Sequence, residues 1–458
     1  MKRILSIFGA IAFAMTALAQ EGKTAPDYGD FTVDAQVRAR GEFRTGLGTL
    51  DDGSEGPNLM VNDRVRLAFG WERKNISLKI AAQHTGLWQD GGQRNTNGSI
   101  TLHEAWAKMT FGKGFFAQAG RQELSYDDER LFGAHDWAAT GRAHDAFRLG
   151  WENERHKLHA IVSVNQTADV VDDIIVTKST SSPKLYKNMQ TLWYHIGRDE
   201  APFQISMLIN NQGVSDAGGN GVHYMQTFGA YATFAKRKFF SDASFYYQVG
   251  SDRAGTSVSA FLLSLNAGLQ FSPKWSLSIG DDLLSGGDGK PGKNKAFNQL
   301  YGSYHKFFGT MDYFGYGSTP TYGLNDLHAV CKFKPGEKFD MSMAVRWLAT
   351  PSPIMDYLKN YYTNHQNNFI YHLSDAEIVY WQPLKGGSHR FGQNIGSEVD
   401  VEASYRPWKD ITIDAGLSML IGTETVQLLR SSDTSTFLSW GWVSLNINPT
   451  IFSTRHKR

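Results

Sequence analysis

Apolar and polar residues alternate with a period of two along most of this chain. In Phe31–Arg44, Phe31, Val33, Ala35, Val37, Ala39, Gly41 and Phe43 form one series. Thr32, Asp34, Gln36, Arg38, Arg40, Glu42 and Arg44 form the other. Successive side chains of a strand point to opposite faces, so the segment has one apolar and one charged face. Taken alone, it fits a soluble sheet with its charges in water. It also fits a transmembrane barrel with its apolar face in lipid and its charges in a wet lumen.

The rest of the chain repeats the pattern in 61–71, 75–83, 259–271, 339–348, 396–406 and 411–419. A last regular run, Phe437–Asn448, is placed to pair with Phe31–Arg44 and close the sheet. The connections decide between the two readings. Very short ones fall at 72–75, 112–114, 152–155, 197–202, 235–238, 272–274, 335–338 and 407–410. They alternate with long ones rich in Gly, Asn, Asp and Ser, near 45–60, 86–101, 125–143, 167–187, 211–224, 251–257, 284–325, 349–393 and 422–436. Tight turns on one side and long loops on the other are the layout of outer-membrane barrels. The expected fold is all-β: a transmembrane antiparallel β-barrel of about 18 strands, within about 16–20, with short periplasmic turns and long extracellular loops. The wide range arises because 284–325 and 349–393 have room for further strands.

Aromatic residues flank the short turns: Trp71, Phe111, Phe115, Trp151, Phe203, Phe234, Phe239, Phe271, Trp275, Phe333, Phe339, Tyr405 and Trp408. That is the pattern of an interfacial girdle, and it accounts for an aromatic content of 13%. A mean hydropathy of −0.37 does not oppose a barrel, because half of each strand faces water. After the N-terminus no run of about 18 apolar residues occurs, so no membrane helix is expected.

Lys2 and Arg3, the apolar run Ile4–Met15 and Ala17-Leu18-Ala19 read as a secretory signal over 1–19, leaving one barrel domain over 20–458. Without Lys2 and Arg3 the 46 basic residues become 44, against 45 acidic. That balance argues against nucleic acid as a partner. The single Cys331 forms no internal disulfide.

The segment Gly120–Leu149, GRQELSYDDERLFGAHDWAATGRAHDAFRL, carries Gly120-Arg121-Gln122, Arg130-Leu131, Asp136-Trp137, Thr140-Gly141-Arg142 and Asp145-Ala146-Phe147-Arg148-Leu149. With Phe297–Phe314, it resembles the signature stretches of the alginate export family of outer-membrane barrels. The resemblance implies a barrel of about 18 strands that conducts an anionic polysaccharide outward.

Arg38, Arg40, Arg64, Arg66, Arg121, Arg148, Arg346 and Arg406 are the candidate substrate-binding residues, assigned by strand parity to the lumen. Guanidinium groups in a narrow lumen attract carboxylates and phosphates. Asp34, Glu42, Glu104, Glu152, Asp340, Glu398, Asp400, Glu402 and Asp414 share that lumen, so part of the Arg set is expected in cross-strand ion pairs. Arg38, Arg40, Arg64 and Arg66 on adjacent strands form the strongest candidate patch. The loop 284–325 is long enough to fold inward as a plug or gate. Aromatic and amide residues in 357–381 either bind sugar or pack that loop on the barrel mouth. Asp127-Asp128-Glu129 reads as an acidic loop tip, and the glycine run at 287–292 as a flexible loop, since no helical pattern follows it.

No G-x-S-x-G elbow, H-E-x-x-H pair or convincing His ligand spacing is present, so neither an enzyme, a metal nor another cofactor is indicated. The expectation is a monomeric outer-membrane channel for anionic or polar solutes, most specifically an exporter of an alginate-like polysaccharide. Its partners are then that polymer or small anions, outer-membrane lipid, and periplasmic export proteins. The alternatives are a general diffusion porin, an outer-membrane barrel enzyme, and a secreted sugar-binding β protein.

Overall fold

The structure is a computed structural model. It describes residues 28–45, 58–88, 99–165, 170–171, 174–175, 186–198, 200–216, 221–287, 292–314, 321–352, 393–423, 425–426 and 436–455. The leader, the aromatic set at 357–381 and most of the glycine run at 287–292 lie outside these residues.

Eighteen strands form one closed antiparallel barrel. They are β1 (Asp30–Arg44), β2 (Asn58–Arg73), β3 (Ile76–Leu87), β4 (Ser99–Gly112), β5 (Phe115–Gln122) and β6 (His144–Glu152). Next come β7 (His156–Val164), β8 (Asn188–Ile196), β9 (Phe203–Ser215), β10 (Val222–Lys236), β11 (Phe239–Ser251) and β12 (Ser257–Gln270). The last are β13 (Trp275–Leu284), β14 (Leu324–Phe333), β15 (Phe339–Ala349), β16 (Asn394–Trp408), β17 (Ile411–Gly422) and β18 (Phe437–Ile447), which resumes as Thr450–Ser453. Each strand pairs with its sequence neighbours. β1 also pairs with β18, Val37 opposite Ile447 and Arg40 opposite Ser444, so the sheet has no free edge.

The alternation explains the wall. Val37, Phe43, Ile80, Leu149, Ile279, Val345, Leu417 and Val443 point outward and are exposed for want of a protein partner. Lipid supplies that partner in a barrel. The opposite parity (Arg38, Gln118, Thr227, Ser264, Asp326, Glu398) is buried inside. Aromatic side chains next to the tight turns pair across the strands: Phe31 opposite Trp71, Phe115 opposite Trp151, Phe203 opposite Phe234, Trp275 opposite Phe333 and Phe339 opposite Tyr405. They form a belt around the short-turn end.

The long connection Ser285–Gly323 adds no barrel strand among the described residues. It holds only Lys293–Asn294, parallel to the start of β12, and a single helical turn at Tyr304–Lys306. Instead its described residues fold into the lumen. So does 123–143, between β5 and β6. The main hydrophobic cluster is built by these two loops and the inner wall: Tyr126, Phe132, Phe297, Tyr301, Phe308 and Phe314 against Trp193, Leu208, Met225, Tyr246, Trp440 and Trp442.

Candidate functional site

The first inserted loop, 123–143, crosses the barrel from wall to wall. Near its start, Tyr126 meets His159 on β7 (Oη to Nδ1, 3.0 Å), and Trp193 of β8 donates its indole N–H to Asp127 (3.1 Å). Arg130 then reaches the far side. It donates to Asp282 on β13 and Ser264 on β12 (2.8 Å each) and to Asp128 in its own loop (2.8 Å). The Asp127-Asp128-Glu129 run is therefore not a solvated tip. Its carboxylates are spent inside the lumen, Glu129 on Lys306 and Ser125.

The far end of this loop meets the arginine patch. Arg38 donates to the carbonyls of Asp136 (2.7 Å), Trp137 (3.2 Å) and Ala138 (3.0 Å). Arg40 donates to the Trp137 carbonyl and to Glu42 (2.8 Å each). Arg64 pairs with the Asp136 carboxylate (2.8 Å). Arg66 holds Gln83, whose amide donates to the Thr140 carbonyl (2.7 Å). The peptide oxygens of 136–140 thus face a cluster of four guanidinium groups. Arg38 and Arg64 lie directly opposite each other across β1 and β2, a like-charge pair that costs stability without partners. Trp137 closes the contact. Arg40 sits 3.8 Å above its ring, His305 stacks on it at 3.9 Å, and Trp440 and Trp442 meet it edge-on.

The second loop locks onto the first. Phe132 and Tyr301 form a parallel bridge; Tyr301 N–H donates to Leu131, Gly133 N–H to Tyr301, and Ser303 N–H to Glu129. Arg142 donates to the carbonyls of Tyr301 and Gly302. The loop reaches the wall through Asn298, in a reciprocal pair with Gln248 (2.8 and 2.7 Å). At its other end, Thr310 bonds Asp400 (2.7 Å) and Met311 N–H bonds Glu398 (2.9 Å). The expectation that this connection folds inward is met.

The other candidate arginines have different surroundings. Arg346 bridges Asp326 (2.5 Å) and Asp400 (3.2 Å), fully inside the lumen. Arg406 pairs with Asp340 near the short-turn end. Arg148 donates to Gln118 (2.7 Å). Arg121 corrects the parity assignment. It shares its face with Phe115 and Ala119 and lies opposite Asp145, with which it pairs at 3.1 Å on the outside of the wall. The polar positions of β5 (Gln118, Arg121, Gln122) do not alternate, so its face could not be read from spacing. Sequence reading placed Arg130, Trp137 and Arg142 in the family-like stretch without assigning them to the site, and it missed Trp440 and Trp442. The two tryptophans on the inward parity of β18 were its available signal.

Lumen charge is sorted by side. Arg38, Arg40, Arg64, Arg66, Lys79, Lys108, Arg148 and Lys157 outnumber Asp34, Glu42, Glu104 and Glu152 on β1–β7, whereas Asp242, Asp282, Asp326, Asp340, Glu398, Asp400, Glu402 and Asp414 outnumber Arg346 and Arg406 on β11–β17. The two walls face each other across the inserted loops, so a field runs across the lumen. Under the first loop a cavity of about 240 Å³ is lined by Asp127, Lys157, Trp193, His195, Gln204, Ser206, Tyr231 and Thr233. Within the loop, burial pushes the Asp127 carboxyl up to about 6 and the His135 imidazole down to about 4.

Three solved structures share the architecture. The outer membrane protein opdK from Pseudomonas aeruginosa superposes with a TM-score of 0.59 at 8% identity, over 92% of this chain and 98% of that one. OprD from the same organism gives 0.58 at 10% identity, over 92% and 94%. OpdK solved with vanillate gives 0.56 at 8% identity, over 92% and 98%. At these identities the likeness is one of fold. Among curated proteins no sequence matches the chain. The sequence profile of the Alginate export family matches residues 30–426, nearly all of the barrel, and the chain belongs to that family of outer-membrane β-barrels.

Proposed function

We propose that this barrel is a monomeric outer-membrane channel for anionic solutes, and that its specific cargo is an alginate-like anionic polysaccharide moving outward. The observation that carries the reading is the wall of four guanidinium groups, Arg38, Arg40, Arg64 and Arg66, where the first loop crosses the lumen. Carboxylates bind guanidinium by charge-assisted, often bidentate bonds, stronger than the bonds peptide carbonyls make. A polyanion passing this level exchanges with the loop carbonyls at successive sites, none of which holds it for long. The acidic wall opposite repels the chain toward the basic side. Family membership supports the polymer as cargo.

A second reading is favoured by the way both loops bridge the lumen. That arrangement suits small organic anions that slip past a fixed constriction; one neighbour in fold was solved with vanillate, a small aromatic carboxylate. Block of single-channel current separates the two. Added on the short-turn side, oligouronates of increasing length should produce longer blocks than equal concentrations of the monomeric acid. Equal block by monomer and oligomer would leave the small-anion reading, and no block by either would remove both.

A further inference from the structure

We propose that Asp282, Asp326 and His328 form a divalent-cation site in the lumen wall beside the Arg130 anchor of the first loop. One ligand atom from each lies within 4.8 Å of the others. Asp282 and Asp326 face each other directly across β13 and β14, and both are buried. Two carboxylates opposed in this way repel unless a positive charge lies between them. The local arginines do not suffice. Arg130 touches Asp128 and Asp282, and Arg346 touches Asp326 and Asp400, which leaves four carboxylates to two guanidinium groups. One divalent ion cancels the deficit of these four.

Two details point to a ligand. Asp326 is fully buried, yet its Oδ1 has no hydrogen-bond donor. His328 Nδ1 lies 3.5 Å from that oxygen, at the limit of a hydrogen bond. The histidine is also oriented from behind. Asn266 donates to Asp242 (2.8 Å), which turns its Oδ1 toward His328 Nε2 at 2.9 Å. Nε2 therefore donates to Asn266, and Nδ1 donates to the Asp326 carbonyl at 3.2 Å; a divalent ion would take the place of the Nδ1 proton, as metal binding to histidine requires. A metal-bound histidine is commonly held the same way, its other N–H given to an oxygen acceptor. Gly280 makes the contact possible. A Cβ there would stand 1.8 Å from Asn266 Oδ1 and 2.5 Å from His328 Nε2. Two carboxylates and an imidazole suit Zn²⁺, with ligand distances of about 2.0–2.2 Å. Side-chain shifts of about 1 Å bring the three atoms to that spacing.

The test is titration of the purified, detergent-solubilised barrel with ZnCl₂ by calorimetry, a readout that does not require conduction. One equivalent should bind. Asp326→Asn, His328→Gln and the positioning variant Gly280→Ala should each weaken binding by about tenfold or more, with heat-modifiable gel migration confirming that each barrel is closed. Cu²⁺ bound to the unmutated barrel should show electron paramagnetic resonance coupling to one imidazole nitrogen. Absence of stoichiometric Zn²⁺ binding, equal binding by all variants, or a Cu²⁺ spectrum without nitrogen coupling would each overturn the site. His328 would then be a plain imidazolium paired with Asp326.

Discussion

Trp137 is the residue on which the arginine patch turns. Its ring takes Arg40 on one side and His305 on the other, and its carbonyl accepts from Arg38 and Arg40. Trp137→Ala removes the ring from a packed site, a change that commonly costs about 3–5 kcal/mol. The loss falls on loop docking rather than on the wall, whose ladders it does not touch. Single-channel conductance should rise while gel migration of the folded barrel is unchanged; an unchanged conductance would show that the ring does not limit the pore. Asp127 and His135 act on the same loop with opposite signs. Asp127 has a raised pKa in the docked loop, about 6 against an ordinary 3.8. Its contribution is full below 3.8 and is lost as pH rises through 6. His135 is depressed to about 4 from 6.5, so its contribution is present above 6.5 and lost as pH falls through 4. In the native chain the two largely offset each other. Asp127→Asn leaves the histidine alone, and hydrogen exchange in 123–143, corrected for intrinsic rate, should quicken steadily from pH 6.5 to pH 4. A flat profile in that variant would contradict the assignment. The arginine parities were legible in the sequence wherever a strand alternates cleanly, as in β1 and β2. Their partners were not, because the carbonyls to which Arg38 donates lie about a hundred residues along the chain.

At the scale of elements, the strands and tight turns were readable because lipid and water impose one period on every strand. The path of the long loops was not, because no periodicity marks a segment that packs by shape. What fixes them is close approach. Gly302 brings its backbone against Arg130, where a Cβ would meet the carbonyl oxygen at 2.2 Å, and Gly309, at φ +93°, lies where a Cβ would meet the Glu398 carboxylate at 2.4 Å. Gly302→Ala should part the two loops, and Gly309→Ala should lift the second from β16. Both variants should keep the closed barrel and expose Phe308 and Phe314 to a hydrophobic dye. Native-like dye binding in both would mean that the loops tolerate the extra carbon and are less closely docked than described. The resemblance of Gly120–Leu149 to its family's signature now has a structural reason: Arg130, Trp137 and Arg142 in this stretch are anchors of the crossing loop.

At the scale of the whole molecule, the barrel separates charge across its lumen. The basic wall is held by loop carbonyls and a few carboxylates; the acidic wall is held by Arg130 and Arg346. Surface charges away from the lumen are screened within about 8–10 Å at ordinary ionic strength, so selectivity rests on these inner groups. Anion preference should therefore persist at moderate salt and fall when the patch is neutralised. The most direct test is the reversal potential of single channels in a planar bilayer under a KCl gradient, for the native chain and for a variant carrying Arg38→Gln, Arg40→Gln, Arg64→Gln and Arg66→Gln. The expected result is a native reversal potential displaced toward that of chloride, and a variant displaced toward that of potassium with its barrel still folded. A native channel that favours potassium, or a variant whose reversal potential does not move, would contradict an anion conduit built on this wall.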